Sequence, residues 1–139
     1  MFGDRLGTIK LGISAASELN QIITDQEATN TNFEEVAAIT LDSLVISENL
    51  QTVDILKVDA EGHEISVFQG AEYILDHFAP IIMYENLSGT QTNSLPVAEF
   101  LRNKGYQLFS YKPYVQELVP ISSDQVMELS LNIIAIKNT

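Results

Sequence analysis

The sequence predicts an α/β fold in which a sheet of parallel strands is completed by one antiparallel strand at the C-terminus. Three observations carry this reading. Short β-rich apolar runs recur at Val53–Val58, Ile81–Tyr84, Tyr106–Tyr111 and Leu131–Ile136. Helix-patterned segments separate the first three runs, and strand–helix–strand–helix–strand order implies parallel strands joined by right-handed crossovers. Between the last two runs there is a loop containing Pro113 and Pro120 and no convincing helix, so those strands can pair antiparallel.

The elements follow in chain order. Residues 1–37 are weakly patterned and read as a hairpin or loop segment, with a turn at Gly3, Asp4 and Gly7 and a short strand over Thr8–Ile13. Thr24–Asn32 is a loop by composition. Residues 38–139 carry the α/β pattern. Ala38–Leu41 is strand-like, and Thr40, Asp42 and Ser43 offer capping oxygens for a short helix through Ile46. Val53–Val58 (VDILKV) is suited to a strand buried on both faces, ending at Asp59. Gly62–Phe78 reads as one helix with Ile65, Phe68, Leu75 and Phe78 on its apolar face, weakened by about 1 kcal/mol at Gly70. Pro80 ends it, and the strand over Ile81–Tyr84 runs out at Glu85-Asn86. After the polar loop Ser88–Ser94, Ser94 and Pro96 start a helix that Gly105 ends, with Lys104 at its negative pole.

Composition narrows the function. With 139 residues, 45% of them hydrophobic and 19% charged, the chain has enough apolar material for a globular core. The net charge of −12 repels phosphate backbones and anionic lipid heads, which argues against nucleic-acid and membrane partners. The absence of cysteine excludes disulfides and thiolate nucleophiles. No apolar run approaches the roughly 20 residues of a membrane span, and the N-terminus has no signal-peptide pattern. A cytoplasmic location is expected.

Ligands of open parallel sheets bind beyond the carboxyl ends of the strands, where loops and helix N-termini converge. Two such ends are polar here: Asp59-Ala60-Glu61-Gly62-His63-Glu64 and Tyr84-Glu85-Asn86. If the two strands are neighbours, these clusters share a rim. Carboxylates placed there can orient a hydroxyl, take its proton or bind a hard cation. Asp59 and Glu61 can equally serve as caps of the following helix. His63 can act as a base or stand exposed in a first helical turn. His77, at the end of the same helix, suits the dipole. Tyr111, Lys112, Pro113 and Tyr114 can line an acceptor pocket or form a loop packed on the sheet.

The segments T-L-D-S-L (Thr40–Leu44), V-D-I-L-K-V-D-A-E-G-H-E (Val53–Glu64), V-F-Q-G-A-E (Val67–Glu72), P-I-I-M-Y-E-N (Pro80–Asn86), F-L-R-N-K-G-Y (Phe100–Tyr106) and L-N-I-I-A-I (Leu131–Ile136) resemble, in order and spacing, the FkbM methyltransferase family. The resemblance implies the C-terminal half of a Rossmann-like class I methyltransferase sheet. It implies transfer of a methyl group from S-adenosylmethionine to a hydroxyl of a small molecule or sugar. On that basis Asp59, Glu61 and His63 are the expected catalytic residues, Asp59 also lies beside the cofactor, and Glu85 and Asn86 face the acceptor. The pairing also looks similar to catechol-type O-methyltransferases, in which an acidic residue and an acidic-Asn pair bind magnesium; a divalent metal is left open. The sequence departs from the family in one respect. None of Gly3, Gly7, Gly12, Gly62, Gly70, Gly89 and Gly105 follows a buried strand and opens a helix at the spacing of the family's glycine-rich cofactor turn. The isolated chain is therefore expected to be inactive and to bind the cofactor weakly. Two alternatives accompany this reading. One is a non-catalytic module that pairs an exposed strand edge with a partner chain or a second copy. The other is a receiver-like phosphoacceptor, for which the required acidic pair and lysine are poorly placed.

Overall fold

A computed structural model describes residues 1–13, 21–23, 26, 32–86, 94–122 and 130–138. Two sheets and four helices are present among them. Strands β1 (Gly7–Gly12), β2 (Gln21–Ile23) and β3 (Phe33–Ala38) form an antiparallel sheet of order β2-β1-β3. Strands β4 (Ile55–Val58), β5 (Ile81–Glu85), β6 (Tyr106–Lys112), β7 (Glu117–Pro120) and β8 (Asn132–Lys137) form a second sheet of order β4-β5-β8-β6-β7. The helices are α1 (Leu41–Ser47), α2 (Glu64–Gln69), α3 (Glu72–His77) and α4 (Ser94–Asn103). No described helix is long and apolar enough to cross a membrane. The expected loop over Thr24–Asn32 falls mostly outside the described residues, as does the loop before Ser94.

The large sheet is mixed rather than parallel. Only β4 and β5 pair in parallel, whereas β5–β8, β6–β8 and β6–β7 are antiparallel. The reason is where the last strand enters. β8 inserts between β5 and β6, so β6 points the same way as β4 and β5 without hydrogen-bonding to either. The segment after Pro113, expected to be a loop, contributes β7 instead. It pairs with β6 as an outer strand, and Pro120 is tolerated there because an edge strand need not donate from every residue.

Register decides which side of the sheet is buried. Leu56, Ile82, Ala135 and Leu108 form one cross-strand row, and Val58, Tyr84, Ile133 and Ser110 form another on the same face. This face meets Val67, Phe68, Ile74 and Leu75 of α2 and α3, and Val97 and Leu101 of α4. Phe68 meets Tyr84 edge-on at 5.8 Å between ring centroids. The alternate residues belong to the opposite face, where Ile55 is 70% exposed and Ile81 47%. The strand expected to be buried on both faces is thus covered on one, because the four described helices all send their buried apolar side chains to the same core.

The helix expected over Gly62–Phe78 is two helices with a break at Gly70-Ala71. A methyl group on Gly70 would lie 2.0 Å from the carbonyl oxygen of Gly3, so glycine is required for this close approach. The N-terminal segment is held there by hydrogen bonds from Gly3 N to Ile39 O and from Ile39 N to Met1 O, both 3.0 Å.

The break leaves α3 without a side-chain cap of its own, and Asp42 supplies one from α1. Its two carboxylate oxygens accept from Tyr73 N at 2.9 Å and Ile74 N at 3.1 Å. Of the three capping oxygens expected for α1, Thr40 does cap that helix, accepting from Ser43 N at 3.0 Å, while Asp42 serves α3. Asp42→Ala is expected to lower stability by about 1–2 kcal/mol, with Asp42→Asn recovering part of the loss, as read by urea denaturation. An Asp42→Ala protein as stable as the wild type would remove this cap from the account.

Candidate functional site

The parallel ladder sets Val58 opposite Tyr84, so the residues that follow, Asp59 and Glu85, emerge side by side from the carboxyl ends of β4 and β5. Asp59, Glu61 and Glu85 each bring a carboxylate oxygen within 4.8 Å of the others. Sequence reasoning placed all three on one rim, and the structure brings them together.

A tight turn presents Asp59 and Glu61. His63 N donates to Ala60 O at 3.0 Å, with Glu61 and Gly62 in left-handed conformations at φ 49° and 94°. Gly62 adopts this without penalty, whereas Glu61 is held in a conformation that ordinary side chains disfavour by roughly 1–3 kcal/mol. Glu64 closes the turn from inside: its Oε1 accepts from Ala60 N at 3.0 Å and Gly62 N at 3.2 Å. Glu64 was recognised in sequence only as part of an acidic run, and nothing but its spacing from Ala60 hinted at this contact.

The electrostatics follow from the crowding. Glu85 holds its proton above the usual carboxylate range, first because it is partly withdrawn from water, then because of the charge and hydrogen bond of Asp59 and the charges of Glu61 and Glu64. Asp59 has a counter-ion, Lys57 Nζ, at 3.1 Å. The pair is exposed to solvent, so the neutralisation it offers is modest. Three carboxylates so placed can attract a cationic group, accept a hydroxyl proton, or ligate a hard divalent ion such as Mg²⁺.

A cleft of about 560 Å³ adjoins this rim. Its wall is apolar, from Phe2, Leu41, Leu44, Leu56, Val58 and Val67, and Lys57, Asp59, Glu61 and His63 form its polar end. His63 is half-buried at the N-terminus of α2, makes no capping bond, and also borders a smaller cavity of about 220 Å³. The contributions of Phe2 and α1 were not legible in sequence, since they depend on the N-terminal segment docking beside Ile39.

The remaining polar and aromatic candidates lie elsewhere. Asn86, expected beside Glu85, is buried; its Nδ2 donates to Ser130 O at 2.7 Å and its backbone N to Leu131 O at 2.7 Å, which ties the tip of β5 to the start of β8. Tyr111 and Tyr114 sit in the β6–β7 hairpin at the far edge of the sheet, Tyr114 fully exposed, and do not join the rim. His77 stacks on Tyr73 at 4.1 Å at the end of α3, away from the acidic cluster.

No curated protein and no solved structure matches the chain. A family model, the Methyltransferase FkbM domain, matches residues 6–108, which span β1 through the first strand residues of β6 and include the whole acidic rim. With most of its length covered, including both strand tips and the turn between them, the chain belongs to the FkbM methyltransferase domain family.

Proposed function

We propose that this chain provides the acceptor side of an S-adenosylmethionine-dependent O-methyltransferase site. The observation that carries the reading is the convergence of Asp59, Glu61 and Glu85 from two neighbouring parallel strands beside an apolar cleft. The donor set fits the cofactor, because a carboxylate rim suits the sulfonium and ammonium charges, and the apolar wall suits its uncharged parts. When bound, S-adenosylmethionine supplies an electrophilic methyl group. Asp59 and Glu61 would hold its cationic portion. Glu85 faces the acceptor, a small molecule or sugar, and takes the hydroxyl proton; its raised pKa makes it a better base than an ordinary carboxylate. His63 is the second candidate base, and Asn86 fixes the strand tip that carries Glu85.

Titration with S-adenosylmethionine followed by ¹H–¹⁵N NMR tests this. Weak binding, near about 1 mM, is expected, because no glycine-rich turn in the sequence cradles the rest of the molecule. Amide shifts should concentrate at Ala60–His63 and along the cleft, and Asp59→Asn should reduce them. No shift in these residues at ten times that concentration would contradict the proposal.

A second reading, an assembly module, draws on a different observation. Among the described residues β4 pairs only with β5, and the sheet face carrying Ile55 and Ile81 is open to solvent. Such an edge and face favour a covering layer from a partner chain or a second copy. Sedimentation velocity across a hundredfold concentration range should then show association that Ile81→Asp abolishes. A monomer throughout would count against self-association.

A further inference from the structure

We infer that Glu64 is a positioning residue, whose buried carboxylate holds the turn from Asp59 to Gly62 in the shape that aims Asp59 and Glu61 at Glu85. The inference deepens the acceptor-site reading above and rests on it for the meaning of that shape. Glu64 is only 4% exposed, an unusual place for a carboxylate. It lies close enough to Glu85 for its charge to be felt there, beside those of Asp59 and Glu61. Burying a negative group next to three others opposes folding, so its location calls for a compensating contact.

The contact is specific. One carboxylate oxygen accepts from the backbone of both Ala60 and Gly62, residues that flank Glu61 on either side. Between them Glu61 takes a positive φ that its side chain disfavours. Without an acceptor inside the turn, Ala60 N and Gly62 N would turn to water, and the backbone of Glu61 would relax toward negative φ. Relaxation of that kind rotates the Glu61 side chain away from the rim. Glu64 is neither part of the cleft lining nor one of the three rim carboxylates, which separates its role from those of Asp59, Glu61 and Glu85.

Amide hydrogen exchange on the full chain tests this directly. Glu64→Ala should speed exchange at Ala60 and Gly62 by about tenfold or more, leave the β5 amides within about twofold of the wild type, and shift the Glu61 resonances. Glu64→Gln, which keeps an acceptor oxygen at the same position, should restore slow exchange. Unchanged rates at Ala60 and Gly62 in the alanine variant would overturn the inference, as would a uniform acceleration of all core amides or a failure of glutamine to rescue. If the alanine variant does not fold, the wild-type protein decides: protection of both amides by about a hundredfold over an unstructured chain supports the role, and exchange at the unstructured rate rejects it. These readouts need no ligand. A protected turn with no response to S-adenosylmethionine would therefore leave Glu64 as the turn's brace and remove the methyltransferase reading alone.

Discussion

Gly70→Ala is expected to destabilise the protein by about 1–3 kcal/mol, although the reduced freedom of the unfolded chain alone predicts a gain of about 0.4–1 kcal/mol for the same change. The two effects oppose each other, and the contact decides. The added methyl would lie 2.0 Å from Gly3 O and 3.0 Å from Gly3 C, both backbone atoms that no side-chain rotation can move aside. Either α2 and α3 shift relative to the sheet, or the N-terminal segment is expelled. Expulsion breaks the bonds from Gly3 N to Ile39 O and from Ile39 N to Met1 O, at about 1 kcal/mol net each. It also withdraws Phe2 from the cleft wall, so a loss of stability and a wider cleft should appear together. Chemical denaturation with NMR shifts of Phe2 checks both; an alanine variant of equal or greater stability would show that the close approach is unimportant.

Phe68→Ala is expected to cost about 3–5 kcal/mol. The ring is fully buried where α2 meets the sheet, and its edge contact with Tyr84 is lost along with the buried area. Tyr84 directly precedes Glu85, so the cavity opens beneath the acidic rim. The variant is expected to unfold with a greatly lowered midpoint by circular dichroism. A loss below about 1 kcal/mol would mean that the helices can close over the gap, and that the packing of α2 on β5 is looser than described.

How far the fold could be read from sequence varied with how local the cause was. Val53–Val58 and Ile81–Tyr84 announced themselves by composition, and their parallel pairing followed from the helical segment between them. The rim of Asp59, Glu61 and Glu85 followed in turn, because residues just past two paired strands must lie side by side. The insertion of β8 between β5 and β6 had no local signal; strand order is fixed by long-range packing, and LNIIAI would read the same at an edge. Gly70 read as a weak helix position, since its true constraint is a backbone distant in sequence. Asp42 was recognised as a cap but assigned to the wrong helix for the same reason. Asn86 was expected to line the rim from its neighbour Glu85, yet successive strand residues point to opposite faces, and its amide reaches Ser130. The one-sided burial of β4 depends on which faces the helices cover, which an apolar run alone does not reveal.

The proposed site requires the carboxylates of two adjoining strands to act as a single electrostatic unit. Carbon-detected NMR titration of the side-chain carboxyl of Glu85 measures this in the wild type and in Asp59→Asn. The expected result is a Glu85 pKa above its ordinary 4.5, falling toward that value when the Asp59 charge is removed. Because the folded pKa is the raised one, deprotonation of Glu85 should also cost stability as pH rises through it, a loss absent below about 4.5. A Glu85 that titrates at or below 4.5, and does not respond to Asp59→Asn, would show that the two strand tips do not face a common site.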